Sequence, residues 1–206
     1  MLVNHVLFVE LVFTKELIEI NKELNSLDEF VIEFTSVLNK LNINYVVISG
    51  YVSILFGRSR SSEDIDLILE KLDFEKFSIL WKALADFDCI ITSDVKNAYN
   101  EYLIDGQAIR FAKKDTFIPN IELKFPKTDL DSWVLANKKE VLLNKKQIYI
   151  SQIELQIPFK LFLGSEKDIE DAKYLYDLFK DKLDLPLLNE FNRKLNIIGL
   201  FDKYLR

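Results

Sequence analysis

A β-branched run, Val46-Val47-Ile48, stops at Ser49-Gly50, and beyond a short apolar stretch the chain reads Gly57-Arg58-Ser59-Arg60-Ser61-Ser62-Glu63-Asp64-Ile65-Asp66-Leu67. The run Tyr45 to Ser49, bounded by Asn44 and Gly50, predicts a buried strand. Tyr51 to Phe56 predicts a short helix ending at Gly57. Ile65, Leu67 and Leu69 then alternate with Asp64, Asp66, Ile68 and Glu70, which predicts a second strand whose two aspartates share a face. A strand, tight turn, helix and acidic strand in that order leave few architectures open.

The same segment limits the chemistry. A glycine at a strand end lets backbone amides approach a phosphate, and a following helix offers its positive end to that charge. Carboxylates at i, i+2 on one strand face can share one or two magnesium ions. Hard oxygen donors without a Cys or His cluster favour Mg²⁺, with Mn²⁺ as the alternative, over zinc. A phosphate cradle beside a dicarboxylate supplies the parts for metal-assisted nucleotidyl transfer. A third carboxylate would complete a two-metal site. In Ile121-Glu122-Leu123-Lys124-Phe125 the alternation puts Glu122 and Lys124 on one face, so Glu122 is the first choice and Asp105 the second.

Elsewhere the periodicity predicts mixed α and β structure. From Thr14 to Leu41 the apolar positions recur at helical steps, giving two helices broken near Asn25 to Leu27. Asp73 to Ala85 reads as a helix capped by Asp73, Phe87 to Thr92 as a strand, and Val95 to Leu103 as a helix. Gln107 to Ala112 and Asn120 to Phe125 read as strands, Asp129 to Ala136 as a helix, and Val141 to Ile150 as a hairpin. Helices follow at Ile153 to Phe162, Glu166 to Lys180 and Leu187 to Leu195, with Pro186 placed to begin the last. The expected division is a core with N-terminal helices over 1–150 and a helical C-terminal region over 151–206.

Composition removes several classes. Apolar residues at 49% and charged residues at 29% describe a folded chain rather than a disordered one. A net charge of -6 argues against a broad non-specific grip on nucleic acid, although Lys113, Lys114, Lys124 and Lys127 could line a local basic groove. The lone Cys89 cannot form an intramolecular disulfide and sits in an apolar run suited to packing, which points to the cytoplasm. The apolar start Val6 to Phe13 is broken by Glu10 and falls far short of the ~20 residues of a membrane span, so neither an export signal nor an anchor is expected. His5, the single histidine, leaves no zinc cluster and no Ser-His-Asp arrangement deep in the fold.

Gly50-Tyr51, the short helix, Gly57-Arg58, Arg60, Ser62 and Asp64-Ile65-Asp66 together resemble the DNA polymerase beta-type nucleotidyltransferase superfamily. The nearer likeness is to the branch ending in Arg-x-Thr-x-Asp-hydrophobic-Asp, which includes the abortive-infection (type IV) toxin nucleotidyltransferases of toxin-antitoxin systems. Ser49 stands where that branch often has glycine, and Ser62 where it often has threonine. The resemblance implies an α+β fold, a nucleotidyltransferase-like mixed β-sheet flanked by helices with a C-terminal helical region. Residues 44–125 would match the catalytic core. Glu154, Phe159-Lys160-Leu161 and Glu166-Lys167-Asp168-Ile169-Glu170-Asp171 resemble the Glu, Lys and Lys-Asp-x-x-Asp pattern that follows this core, with Ser165 and Glu166 where an arginine is common. In that pattern the helical lysine and the acidic pair are associated with the nucleotide site.

The expectation is therefore a magnesium-dependent enzyme that moves an NMP from an NTP, ATP among them, to a hydroxyl of an acceptor and releases pyrophosphate. Asp64, Asp66 and Glu122 would be catalytic and hold metal, while Ser49, Gly50, Arg60, Ser62, Lys160 and Asp168 would hold the nucleotide. The acceptor is open among a small molecule, a protein and tRNA. Plainer readings stand beside these. Arg60 could simply pair with Glu63 or Asp64, Glu122 could be an ordinary strand residue, and Lys167 to Asp171 could be a solvated helix face. The aromatic positions Phe159, Phe162, Tyr174, Tyr176 and Phe179 suit packing better than base stacking. A catalytically silent binding module, serving a protein partner or acting as an antitoxin-like scaffold, is the rival of another class. A kinase-like route lacks any Gly-x-x-x-x-Gly-Lys motif.

Overall fold

The computed structural model describes residues 10–14 and 17–205; His5 and residues 6–9 of the apolar start lie outside the described residues. The chain opens with two strands, β1 (Glu10–Phe13) and β2 (Leu17–Asn21), and only then a helix, α1 (Ser26–Lys40). Next come β3 (Tyr45–Ile48), α2 (Gly50–Leu55), β4 (Asp64–Leu69), α3 (Phe74–Ala83), β5 (Phe87–Cys89) and α4 (Val95–Asn97). α4 runs into a π-helical stretch, Ala98–Leu103, followed by β6 (Ile109–Lys113) and β7 (Asn120–Lys124). The chain then forms α5 (Asp129–Ala136), β8 (Lys139–Leu143), β9 (Lys146–Ile150), α6 (Ile153–Leu163), α7 (Glu166–Phe179), α8 (Leu185–Lys194) and α9 (Ile198–Leu205).

The first of the two expected N-terminal helices is therefore a strand. Leu17 to Asn21 also satisfies a period of two, and its alternation buries Ile18 and Ile20 while exposing Glu19. β2 pairs in parallel with β8, a partner far along the chain, and that pairing decides between two periods that local sequence leaves balanced. The break near Asn25 is real and marks the start of α1. Asn25 accepts from the Asp28 amide while Asp28 accepts from the Asn25 amide, a reciprocal capping box. Asp28 also accepts from the Tyr51 hydroxyl at 2.9 Å and pairs with Lys22 at 2.9 Å, which ties α1 to α2 inside the core.

Three smaller differences follow from tertiary context. The expected strand Phe87 to Thr92 is shortened to Phe87–Cys89 at the sheet edge, with one further bond from the Ile90 amide to the Arg110 carbonyl at 2.8 Å. The expected helix from Val95 to Leu103 carries a π-helical register over most of its length. Pro186 sits in the first turn of α8, but α9 follows, so α8 is not the last helix.

All nine strands among the described residues join one mixed sheet in the order β1-β2-β8-β9-β3-β4-β7-β6-β5. One face carries Tyr45, Val47, Ile65, Leu67, Ile121, Leu123 and Phe111, packed with Phe34, Tyr51 and Phe77 from α1, α2 and α3. The other face carries Val46 and Ile68 against Val134 and Leu135 of α5, Leu155 of α6 and Phe191 of α8. Because side chains alternate along each strand, Asp66 on β4 and Glu122 on β7 project to this second face. No helix among the described residues is long and apolar enough to cross a membrane.

Candidate active site

The β3 to α2 turn is built on an unfavourable residue. Ser49 has φ 66° and ψ -134°, in the positive-φ territory where glycine is the natural occupant, and its side chain makes no capping bond to α2. Gly50 lets the Arg60 guanidinium lie close to the turn, since a Cβ there would come within 3.1 Å of one of its nitrogens and push it back. Antiparallel pairing places Ile48 opposite Asp66, so the turn lies beside the acidic strand.

β4 and β7 run parallel with Asp64 opposite Asn120 and Asp66 opposite Glu122. Two carboxylates thus meet across neighbouring strands. Burial raises the pKa of Asp66, and the negative charges of Asp64 and Glu122 raise it further; the Ser49 hydroxyl and the Lys124 ammonium pull the other way. Asp66 sits in a field that a divalent cation would relieve. Hard carboxylate oxygens in that field fit magnesium at Asp64 and Asp66.

Glu122 is differently engaged. Arg110, opposite it on β6, donates from Nε at 3.0 Å and from a terminal nitrogen at 2.5 Å, both to one carboxylate oxygen. The bond and charge of Glu122 raise the Arg110 pKa, with smaller contributions from Asp64 and Asp66. Among the described residues no three His, Cys, Asp or Glu side chains converge into a ready metal cage. Asp105, the second choice for a third carboxylate, is exposed in the turn before Gly106, beside Lys127 at the opposite end of β4 and β7.

The expected nucleotide residues fall into two groups. Ser49 lines a cleft of about 200 Å³ together with Asp66 and Lys124. α5 contributes Leu130 and Val134 to its walls, and α6 contributes Leu155, Gln156 and Phe159. Ser62 donates to the Asp64 carbonyl at 3.0 Å and so shapes the entry to β4. Arg60, Lys160 and Asp168 belong instead to a largely buried ionic cluster around Asp171, which is fully buried. Arg58 and Arg60 both donate to Asp171, and Lys160, 1% exposed, donates to it at 2.5 Å. Asp168 lies 3.7 Å from Lys160 and is held at the start of α7 by Ser165. Arg60 therefore finds its partner in Asp171 rather than in Glu63 or Asp64.

Lys124, Arg110, Gln156 and Ser151 were not among the expected site residues. Strand alternation had put Lys124 on the face of Glu122, beside its place among the four groove lysines, and it lies 3.4 Å from Asp131. Burial pushes Asp131 up, but the Lys127 amide, the Lys124 ammonium and Thr128 together hold it below the ordinary carboxylate range. Of the four lysines proposed for a basic groove, Lys113 pairs with Glu33, Lys124 lies by Asp131 and the Lys127 stem packs at Gly106. Cys89 is partly buried against the core, as packing predicts.

No protein-family model matches the sequence, and no curated protein matches it. Solved structures do match. An antigenic nucleotidyltransferase-like protein from Paracoccidioides brasiliensis superposes with a TM-score of 0.51 at 19% identity, over 85% of this chain and 89% of that one. ANT(2")-Ia, in complex with adenylyl-2"-tobramycin, superposes with a TM-score of 0.54 at 13% identity, over 82% of this chain and 99% of that one. The chain has a nucleotidyltransferase-like fold.

Proposed function

We propose that this protein is a magnesium-dependent nucleotidyltransferase that moves an NMP from an NTP to a hydroxyl of an acceptor, with release of pyrophosphate. The observation that carries the reading is the pairing of Asp66 with Glu122 across β4 and β7, beside the strained Ser49 turn and a cleft. Fold similarity at low identity supports the class of chemistry, and a structural neighbour is in complex with an adenylylated compound. The Arg60, Ser62 and Asp64-Ile65-Asp66 run supports placement in the branch of the abortive-infection toxins.

Asp64 and Asp66 would hold magnesium, joined by Glu122 once it leaves Arg110. Bound there, the ion would neutralise triphosphate charge and the charge growing on the pyrophosphate. The protein's own groups do the rest. The Ser49-Gly50 turn receives the phosphates, and Arg60, anchored by Asp171, presents its guanidinium against Gly50. Glu122 takes the proton of the acceptor hydroxyl as its oxygen bonds to the α-phosphorus and the α–β bridging bond breaks. The NTP, the acceptor (a small molecule, protein or tRNA) and any protein partner enter as substrates or partners of this site.

Incubation with each labelled NTP and a mixture of tRNA, proteins and small hydroxyl compounds should label one acceptor class in the presence of magnesium. Asp66→Asn should abolish that labelling while the far-UV spectrum is unchanged; full labelling by the variant would refute the assignment. The hold of Arg110 on Glu122 favours one second reading, a catalytically silent binding module. Calorimetry separates the two, because a silent scaffold gives no magnesium-dependent heat with any NTP.

A further inference from the structure

The cleft beside Asp66 has a floor that the transfer chemistry leaves unused. Ser151, at the end of β9, is 2% exposed, and Gln156, on α6, is 4% exposed. The Gln156 amide nitrogen donates to the Ser151 hydroxyl oxygen, and both residues line the cleft. That bond fixes what remains. The Gln156 carbonyl oxygen accepts no hydrogen bond among the described residues, and the Ser151 hydroxyl keeps its proton to give. A nearly buried acceptor beside a nearly buried donor, both unspent, makes a two-point recognition edge. Phe159, one helical turn beyond Gln156, adds a half-exposed ring to the same cleft, and Leu155 adds an apolar wall.

At about 200 Å³ the cleft is smaller than the roughly 300 Å³ at which sites for drug-sized ligands begin, and it suits one planar ring system. We propose that it reads the nucleobase of the NTP, and that its edge selects bases with an amino group beside a ring nitrogen over their keto counterparts. Gln156 accepts from the exocyclic amino group, Ser151 donates to the adjacent ring nitrogen, and Phe159 covers the ring face. With the base in the one orientation that its ribose and triphosphate impose, adenine and cytosine offer that edge, whereas the Watson–Crick edges of guanine and uracil turn a carbonyl towards Gln156 and an N–H towards Ser151, so both contacts are lost. Selection of this kind rests on the nucleotidyltransferase reading and adds a substrate preference to it.

Equilibrium titration of the intact protein with ATP, GTP, CTP and UTP in the presence of magnesium tests the assignment. ATP should bind about 10-fold or more tightly than GTP, and CTP likewise more tightly than UTP. Gln156→Ala and the closer-sized Gln156→Met should bring both ratios towards one while keeping magnesium-dependent triphosphate binding. Phe159→Ala should weaken all four by about 10-fold. Equal binding of the four by the unaltered protein, a preference for the keto bases, or ratios unmoved in a folded Gln156 variant would overturn the base-reading role and leave nucleotide transfer standing. Failure of every NTP to bind would remove both.

Discussion

Lys160 and Asp171 form a buried ion pair between α6 and α7, with Nζ at 2.5 Å from Oδ2 and neither side chain more than 1% exposed. Asp171 also receives Arg58 and Arg60, so one carboxylate fastens the segment after α2 to the two helices that follow the sheet. Arg60 in turn packs against Gly50. Through Arg60 the ionic cluster thus reaches the Ser49-Gly50 turn.

Removal of Asp171 should cost far more than loss of a surface ion pair. Asp171→Ala would leave the buried Lys160 ammonium with only Asp168 at 3.7 Å, Arg58 with only Glu170, and Arg60 without its carboxylate, and breaking a buried pair from one side costs about 3–5 kcal/mol. Urea unfolding should show a loss of that size. A loss below about 1 kcal/mol would mean the cluster behaves like exposed ion pairs.

Arg110 occupies Glu122 and should compete with metal for it. Arg110 is 47% exposed at its side chain, so Arg110→Ala should change stability by less than about 1 kcal/mol. Freed of its partner, Glu122 becomes available, and magnesium affinity measured by titration calorimetry should rise several-fold. Unchanged or weaker magnesium binding would show that Arg110 does not hold Glu122 back.

The candidate site was legible where local pattern and strand pairing coincide. Asp64, Asp66 and Glu122 came from strict alternation along β4 and β7, and a parallel pairing of the two strands preserves it. Lys160 and Asp168 came from a motif, which marks positions but not directions, and their partner Asp171 is joined to Arg58 and Arg60 across a large sequence separation. Arg110 was hidden because its role depends on facing Glu122 across a strand pair. β2 was misread as helix for the same reason, since its register is set by β8 near the end of the sheet-forming chain. Gln156 carries no sequence signal of its own, because its role depends on burial beside Ser151.

Tyr45 should make the fold sensitive to alkali. Burial pushes its pKa from 10.0 to about 12, with weaker opposing contributions from Thr35 and Asn39. A raised pKa in the folded state gives stability that is complete below 10.0 and is lost as pH climbs through about 12, because the unfolded chain ionises first. Stability should fall by roughly 3 kcal/mol across that window. In Tyr45→Phe this part of the fall should be missing, and an identical decline in variant and parent would exclude Tyr45 as its source.

Asp66, the proposed magnesium ligand, shows the same linkage. Its pKa is raised above its ordinary value of 3.8, chiefly by burial and then by Asp64 and Glu122. Its contribution to stability is therefore full below 3.8 and is lost as pH rises through the folded-state value, so ionised Asp66 weighs against folding at neutral pH. Without metal, Asp66→Asn should be more stable than the parent at neutral pH, because the amide carries no charge to bury. The gap should close as pH falls below 3.8. Magnesium should reverse the order, because binding to the folded state stabilises the parent by mass action and the variant lacks the ligand. Urea midpoints across pH, with and without magnesium, check both halves. A variant less stable than the metal-free parent at neutral pH would mean that Asp66 is held by partners which already satisfy its charge.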